Sequence, residues 1–523
     1  MHPSRQTTGA PTMPDTTSLP RLSRRGFLMA TAALSTTAIA ACQRGADATS
    51  TAATSRDAIT AAEARRPHSG RTVSTTLTAQ RTRVDLGGRI AETIAYNDVV
   101  PGPLLRASVG DELEVTVRNR LGRATSAHWH GLALRNDMDG AAPATPDIPD
   151  GGDFTYRFSA PHPGTYWAHP HTGLDADTGL YFPVIIDDPD EPGRYDAEWV
   201  VMLDDWTDGV GESPAQIYDR LRMPSGERHD MPGMGGMPGM SGHDAMRPAV
   251  GRGSSPLGGD AGDVDYPMYV ANGRNAQNPT SFRARVGQRV RIRLINAGSD
   301  TAFRVALAGH PMTVTHTDGF PVVPTEVDAV LLGMGERYDV VVTARDGVFP
   351  LVATAEGKNA STRALLITAD GSTPPPDYAP PELRGRLGTV RLFTATPEAT
   401  LESMPVDAEL PVELGGSMAT YEWTINGRTF AEAQPLTVRE GQRVAMTFRN
   451  SSMMWHPMHL HGHTFQVVGD DGRPGARKDT LIVLPMQRVR VVFAADNPGA
   501  WMLHCHNTYH QDAGMMTRVD YAG

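Results

Sequence analysis

Four His-x-His motifs are the residues of this sequence whose type and spacing could do chemistry. They are His128-Trp129-His130, His169-Pro170-His171, His459-Leu460-His461 and His504-Cys505-His506. Because residues i and i+2 of a β-strand point to one face, each motif would present two imidazoles side by side. Imidazole binds copper, iron, zinc and nickel. Eight such ligands are too many for one or two ions of low coordination number, so they predict a cluster of two or three copper ions.

A second site is predicted by Cys505, because its position between two histidines directs its sulfur to the opposite face of the strand. His510 and Met515 follow in the next loop, and His456 precedes the third motif by three residues. A thiolate with two histidines and a weak methionine ligand is the ligand set of a blue copper site. The backbone around Cys505 would then connect the two sites and offer electrons a through-bond route.

Chance placement and zinc chemistry are the alternatives to this interpretation. A lone His-x-His pair is usually accidental, and a single cysteine is usually a small buried hydrophobe. Here, however, ten of the eighteen histidines belong to the sets above, at mutually matched spacings. A zinc hydrolase needs an open three-ligand site and no blue copper set, which excludes that class.

Three copies of one strand pattern are expected to position these motifs. Residues 110–119, 287–296 and 441–450 each begin with glycine, alternate polar and apolar residues, and end with asparagine. Strict alternation predicts a half-buried β-strand that the glycine opens at a turn. The first and third motifs begin nine residues after the asparagines of the first and third copies. The same offset in the second copy leads to Val305-Ala306-Leu307, which offers no ligand.

The repeat spacing and the composition together predict an all-β fold. The chain contains 53 glycines and 41 prolines, and few stretches have helical periodicity. We expect three β-sandwich domains, at 72–190, 195–372 and 385–523, joined by the linkers 187–192 and 371–381. The net charge of −11 argues against a nucleic-acid partner, which would require a clustered basic surface.

The N-terminal residues 1–42 are interpreted as a twin-arginine export signal. Arg24 and Arg25 precede a short apolar run, and Met13 is an alternative start. A chance arginine pair in an ordinary signal is the competing interpretation. The chain is therefore expected in the cell envelope or outside the cell.

Cys42 ends a sequence that resembles a bacterial lipobox, which would place a lipid anchor on this cysteine. Cleavage after Ala40 is the alternative. Residues 43–71 are rich in Ala, Thr, Ser and Arg and are predicted to form a flexible tether.

The four motifs, in this order and spacing, resemble those of the multicopper oxidases, which include laccases, cuprous oxidases and copper-resistance oxidases. The resemblance covers about residues 70–520 and is nearest to exported actinobacterial copper-resistance oxidases. It implies three cupredoxin-like Greek-key domains and four coppers. The implied type 1 ligands are His456, Cys505, His510 and Met515, and the implied type 2 ligands are His128 and His459. The implied type 3 ligands are His130, His169 and His506 on one ion, and His171, His461 and His504 on the other.

Reduction of dioxygen to water consumes protons, and the family uses acidic residues for this supply. Asp139 matches the family acid that serves the cluster through water, although Asp137 in the same loop is an alternative choice. The second acid of the family directly follows the last type 1 histidine. This sequence has Gln511 there, with Asp512 one position too late, so the second proton route is left open.

The electron donor is suggested by a methionine-rich insert at 231–246 in the second domain. Thioether sulfur is soft and favours Cu(I), so the insert is expected to gather this ion for oxidation. A neutral loop is the alternative, and Fe(II), phenols and aromatic amines are further donors. The competing function is a non-catalytic lipoprotein that sequesters copper at the cell surface.

Overall fold

The computed structural model describes residues 56–191, 193–223, 253–402 and 404–522. The signal region with Cys42, and the insert 231–246, lie outside these residues. Within the described ranges, no helix has the length and apolar character needed to cross a membrane.

A short helix, α1 (Arg56–Ala64), precedes the first strand. The helix buries its two inner apolar side chains. Just after it, the guanidinium of Arg66 donates a hydrogen bond of 2.9 Å to Oδ1 of Asn497, near the far end of the chain. The prediction of a flexible tether over 43–71 is therefore wrong for residues 56–71, because this segment finds apolar and polar partners on the folded chain.

The first region contains two four-stranded sheets. Its strands are β1 (Thr72–Asp85), β2 (Ile90–Tyr96), β3 (Leu105–Ser108), β4 (Glu112–Arg120), β5 (His128–His130), β6 (Asp153–Ser159), β7 (Gly164–His169) and β8 (Phe182–Asp187). The strand orders are β2-β1-β4-β6 and β3-β8-β7-β5.

The second region, in its described part, contains two six-stranded sheets. Its elements are β9 (Ala197–Trp206), α2 (Pro214–Arg222), β10 (Met268–Ala271), β11 (Ser281–Arg283), β12 (Arg289–Asn296), β13 (Phe303–Leu307), β14 (Met312–Thr317), β15 (Phe320–Val327), β16 (Ala329–Leu332), β17 (Arg337–Thr343), β18 (Val348–Ala355), β19 (Ala360–Ile367) and β20 (Leu387–Gly388). The strand orders are β10-β9-β12-β17-β14-β15 and β11-β19-β18-β13-β16-β20.

The third region contains one six-stranded and one five-stranded sheet in its described part. Its elements are β21 (Ala408–Ser417), β22 (Glu422–Ile425), β23 (Leu436–Val438), β24 (Arg443–Asn450), β25 (His456–Leu460), β26 (Phe465–Val468), β27 (Pro474–Lys478), β28 (Thr480–Val483), β29 (Arg488–Ala494), β30 (Ala500–Cys505), α3 (Thr508–Asp512) and β31 (Met516–Tyr521). The orders are β22-β21-β24-β29-β26-β27 and β23-β31-β30-β25-β28. The predicted all-β fold is confirmed.

The three copies of the strand pattern occupy equivalent places, as β4, β12 and β24. Each pairs in parallel with the strand that opens its region. The closing residues Asn119, Asn296 and Asn450 are buried, and each side chain accepts a hydrogen bond from the backbone N–H two residues further on. Each asparagine also donates to a carbonyl of the loop that follows it, on Arg123, Thr301 and Met454 respectively. This clamp shapes the connection that leads to β5, β13 or β25.

The second copy departs from the predicted half-buried strand, because both faces of β12 are buried. Its outer face carries Arg291 and Arg293, whose side chains are only 3% and 2% exposed. Both guanidinium groups contact Asp339 on the neighbouring strand β17. Nη1 of Arg293 also donates 2.8 Å to Oγ1 of Thr165 in β7. The first region therefore covers the face that alternation assigned to solvent.

Candidate metal centres

The histidine motifs of each terminal region lie on neighbouring antiparallel strands. In the first region β5 pairs with β7, and His128 stands opposite His169. In the third region β25 pairs with β30, and His459 stands opposite His504. Since both strand pairs bring their imidazoles to the junction of the two regions, the predicted gathering of eight rings is what the structure contains.

Five of the eight rings form a pair and a trio. Nε2 of His128 lies 3.4 Å from Nε2 of His459. Nε2 of His506 lies 3.2 Å from Nδ1 of His130 and 3.3 Å from Nε2 of His169. Both groups join the first region to the third.

The remaining three rings form a second trio. Nε2 of His504 lies 3.3 Å from Nε2 of His171 and 3.1 Å from Nε2 of His461. The pair and the two trios contain the same residues as the type 2 and type 3 sets that the family resemblance implies. The structure thus brings together each group of nitrogens that was expected to share an ion.

The nitrogens that face away from the cluster donate to protein oxygens. The acceptors of these Nδ1 atoms are backbone carbonyls of Asp139 for His128, Asp479 for His459, Pro170 for His169 and Cys505 for His504. Each bond places the proton on Nδ1 and leaves the lone pair of Nε2 directed inward. Burial, reinforced by neighbouring imidazoles, lowers the pKa of His169, His461 and His504 well below the usual value, so these rings are neutral. Neutral inward-facing imidazoles fit a metal cluster.

His130 uses the opposite tautomer. Its Nε2 lies 3.0 Å from Oγ1 of Thr480 and 3.2 Å from Oδ1 of Asp479, so Nε2 carries the proton and Nδ1 faces the cluster. Asp479 therefore determines which nitrogen of His130 is free. We did not predict either Asp479 or Thr480.

The predicted acid Asp139 lies against two of the cluster histidines, His461 and His128. Its Oδ2 lies 2.9 Å from Nδ1 of His461, and the side chain is 1% exposed. The neighbouring Asp137 pairs with Arg135 near the surface. Gly140 explains the close approach of this loop, because it has a φ of 81° and a Cβ there would lie 1.8 Å from a backbone oxygen.

The second region supports the cluster although it supplies no histidine to it. Arg337 makes two hydrogen bonds to Asp479, of 2.7 and 2.6 Å, and both side chains are fully buried. Beside them Lys478 lies 3.1 Å from both Asp318 and Glu336, also in the interior. The bidentate contact fixes the carboxylate that orients His130. Asp479 lies between β27 and β28, whose sequences predict only ordinary strands. No motif or spacing therefore indicated that Asp479 is functional.

A glycine turn of the second region also touches the imidazoles. Gly335 has a φ of 82°, and a Cβ there would lie 2.8 Å from His130 and 2.9 Å from His506. The second region therefore forms one wall of the cluster.

The second centre lies around Cys505, whose side chain is fully buried. Its Sγ is 3.6 Å from Nδ1 of His456 and 3.7 Å from Nδ1 of His510, and these two nitrogens are 3.2 Å apart. Met515 is buried, and its carbonyl accepts a hydrogen bond from the Cys505 N–H. The sulfur and its flanking imidazoles thus serve two separate centres from opposite faces of β30, as predicted.

The second region contributes to this centre too, through an acid that we did not predict. Oδ2 of Asp263 lies 2.9 Å from Nε2 of His510 and accepts a 2.8 Å hydrogen bond from the Tyr421 hydroxyl. On the other ring, Nε2 of His456 lies 2.8 Å from Oγ of Ser452. These contacts leave both Nδ1 atoms directed at the sulfur. Asp263 stands 247 positions from His510, a separation at which sequence spacing carries no signal.

The two positions at which the second proton route was left open lie together at one cavity. Gln511 and Asp512 line a cavity beside His510, together with Tyr218 of α2. Burial raises the pKa of Asp512, and Tyr218 donates a hydrogen bond to its carboxyl group. Another buried acid, Asp177, accepts hydrogen bonds from Tyr509 and Tyr266.

Comparison with known proteins assigns the family. Family models described as multicopper oxidase match residues 78–191, 197–370 and 403–522. The multicopper oxidase MmcO of Mycobacterium tuberculosis is 60% identical over 96% of this chain and 97% of its own length. A copper resistance protein A homolog of Pseudomonas syringae pv. tomato is 28% identical over 85% and 91%.

Solved structures agree on the fold. The laccase from Botrytis aclada superposes with a TM-score of 0.67 at 25% identity, covering 88% of this chain and 90% of that laccase. The expected cupredoxin fold is thereby confirmed. On these matches, the chain belongs to the multicopper oxidase family of copper-binding oxidoreductases.

Proposed function

We propose that the chain holds four coppers and couples one-electron oxidation of a donor to four-electron reduction of dioxygen to water. The type 1 ion would be held by His456, Cys505, His510 and Met515. The other three would be held by the pair and the two trios defined above. Bound copper supplies the redox chemistry at both centres. The observation that carries the proposal is the strand β30, which presents one sulfur and two imidazoles to two different centres.

The chain's own residues would then orient the ligands and move protons. Asp139 holds Nδ1 of His461 through Oδ2. Its buried Oδ1 accepts no hydrogen bond from the described residues, although Nδ1 of His128 lies 3.3 Å away. We therefore assign Oδ1 of Asp139 as a proton-carrying atom. Asp512 is the proposed acid in place of the one that Gln511 replaces.

A cavity of about 450 Å³ next to the type 1 centre would receive the donor. It is lined by Tyr218, Tyr421, Gln511, Asp512 and Met516, some of which flank His510 and Met515 in the chain. Its size suits a small phenol or aromatic amine, and its acidic and thioether groups suit a copper ion.

Cuprous ion is the donor that the insert 231–246 favours. The helix α2 ends at Arg222, a residue that lines the same cavity. After the undescribed segment, the chain soon reaches Asp263, which contacts His510. The described chain on each side of the undescribed segment thus includes a residue beside the type 1 centre, which supports a role of the insert in gathering Cu(I) and in copper resistance.

Steady-state oxygen uptake of the copper-loaded enzyme with Cu(I), Fe(II) and a phenol side by side tests the donor. A variant with every methionine of 231–246 replaced by serine keeps the length of the insert and removes its thioethers. It should slow Cu(I) turnover more than turnover of an outer-sphere dye. Equal effects on both donors would remove the insert from the mechanism.

We further propose export by the twin-arginine route and a lipid on Cys42. Arg24→Lys together with Arg25→Lys should block export, and Cys42→Ala should release the enzyme from the membrane fraction. The alternative function, a surface lipoprotein that only stores copper, predicts no oxygen uptake with any donor.

A further inference from the structure

A second cavity, of about 560 Å³, lies where the three regions meet, away from the type 1 centre. Its walls include His162 from the first region, Arg291 and Phe320 from the second, and Arg477 from the third. Cavities of this size at domain junctions commonly hold small molecules. The two ends of this cavity differ in charge.

At one end the arginines are neutralised by carboxylates. Arg291 lies 2.6 Å from both Asp339 and Glu191, and Arg293 lies 2.7 Å from Glu198. These guanidinium groups are committed to the fold and hold the strands of the second region together. They have no capacity left for an anion.

At the other end Arg477 has no such partner. Its Nε donates a 2.7 Å hydrogen bond to Oγ1 of Thr464. Among the described residues no carboxylate forms an ion pair with its guanidinium, and Asp496 acts on it only from a longer distance. The group stacks on Phe320, with 4.1 Å from Cζ to the ring centroid. Arg477 lines the cavity, and its two Nη atoms donate no hydrogen bond to the described residues, which leaves them available to a ligand.

His162 adds a second polar group to this end. Its ring lies 5.5 Å from the Phe320 ring and makes no hydrogen bond with the described residues. Burial and the nearby positive charges of Arg477 and Arg66 lower the pKa of His162 to about 3, so the ring is neutral and can donate one hydrogen bond. The charged groups that act on His162 are Arg477 and Arg66, and both are positive.

We propose that this end of the cavity binds a small organic carboxylate with an apolar body. The planar fork of Arg477 matches a carboxylate in a bidentate contact, and His162 supplies a further donor. Phe320 and the adjacent Pro163, Pro321 and Val322 offer an apolar surface for the body of the ligand. Because all three regions line the site, the ligand would also stabilise their packing.

Calorimetry on the full copper-loaded enzyme with benzoate tests the site. Benzoate should bind and raise the melting temperature, whereas benzamide, with the same body and no charge, and sulfate, with charge and no apolar body, should bind much more weakly. Arg477→Gln should weaken benzoate binding about tenfold or more, because a charge-assisted contact is lost. Arg473→Gln is the matched control, since Arg473 is 86% exposed four residues earlier and should leave binding unchanged.

Arg477→Lys provides a second variant if the glutamine variant does not fold. The lysine keeps the positive charge but loses the planar fork of the guanidinium. This variant should therefore bind benzoate more weakly than the unchanged enzyme, but still measurably. The type 2 copper signal in electron paramagnetic resonance should not change on adding benzoate. A changed copper signal, unchanged binding in both Arg477 variants, or equal binding of benzoate with benzamide or sulfate would overturn the proposal.

Discussion

The second region and the two terminal regions have the same strand arrangement but contribute different residues to the sites. At the offset where the third region carries His459 and His461, the second carries Val305 and Leu307, which are buried in its core. The same asparagine clamp precedes both. The terminal regions thus provide the ligands, and the second provides the charges behind them.

The difference shows that a region without histidine ligands can still support both sites. Arg337 contacts Asp479 behind the histidine cluster, and Asp263 contacts His510 beside Cys505. A strand that carries ligands must place them at a fixed distance from the metal, whereas a supporting charge acts on a ligand and not on the metal itself. Substitutions in both kinds of region should separate these two tasks.

The largest effect is expected in a ligand-bearing strand. Cys505→Ser should abolish the blue colour and reduce oxygen uptake with a phenol below detection, because the serine hydroxyl is a poor replacement for thiolate at a blue copper site. Copper analysis should still find the ions of the trinuclear cluster. A colourless variant that still consumed oxygen at a comparable rate would contradict the two-centre proposal.

The next effect is expected in the ligand-free region. Arg337→Met should destabilise the fold by about 3–5 kcal/mol, because Asp479 is left as an uncompensated buried charge. Turnover should fall about 10–100-fold, as is usual when the support of a ligand is lost. Arg337→Lys keeps the positive charge but not the planar guanidinium, so it should recover part of the stability and part of the turnover that Arg337→Met loses. Denaturant unfolding, copper content and the type 2 copper signal measure these outcomes, and an unaltered type 2 signal in Arg337→Met would limit the residue to stability.

A smaller effect is expected at the type 1 centre. Asp263→Asn keeps an oxygen for His510 and removes a negative charge, which should raise the type 1 reduction potential because Cu(II) loses stabilisation relative to Cu(I). Redox titration of the blue absorbance measures the shift. Asp260→Asn is the control, since the Asp260 carboxyl bonds a backbone N–H and not His510. An equal shift in both variants would indicate a general field rather than the contact.

The smallest effect on turnover is expected where the second region has an apolar residue at the offset of a histidine. Leu307→Ala should cost about 2–5 kcal/mol of stability through the cavity it leaves. Copper content and turnover per folded molecule should not change, because Leu307 occupies the position equivalent to His461 but cannot bind a metal. Copper loss in this variant would show that the comparison between the regions is wrong.

The sequence could predict what local periodicity encodes. Alternation and the His-x-His spacing predicted the strands, the imidazole pairs and the opposite direction of the Cys505 sulfur. The sequence could not predict Asp479, Arg337 or Asp263, because their roles depend on contacts between regions that spacing does not record. The burial of Arg291 in β12 could not be predicted for the same reason. The helix α1 lies in a stretch whose Ala, Thr, Ser and Arg content is typical of a flexible tether, so its packing on the folded chain could not be predicted either.

The pairing of imidazoles across the junction has a consequence for assembly. Nearly every short nitrogen–nitrogen distance joins a ring of the first region to a ring of the third. Opposed lone pairs repel one another unless a cation lies between them, so the ions would act as cross-links that close the chain on itself. Copper supply would then govern how firmly the enzyme is held together as well as how fast it works, and the metal-free chain should melt at a lower temperature.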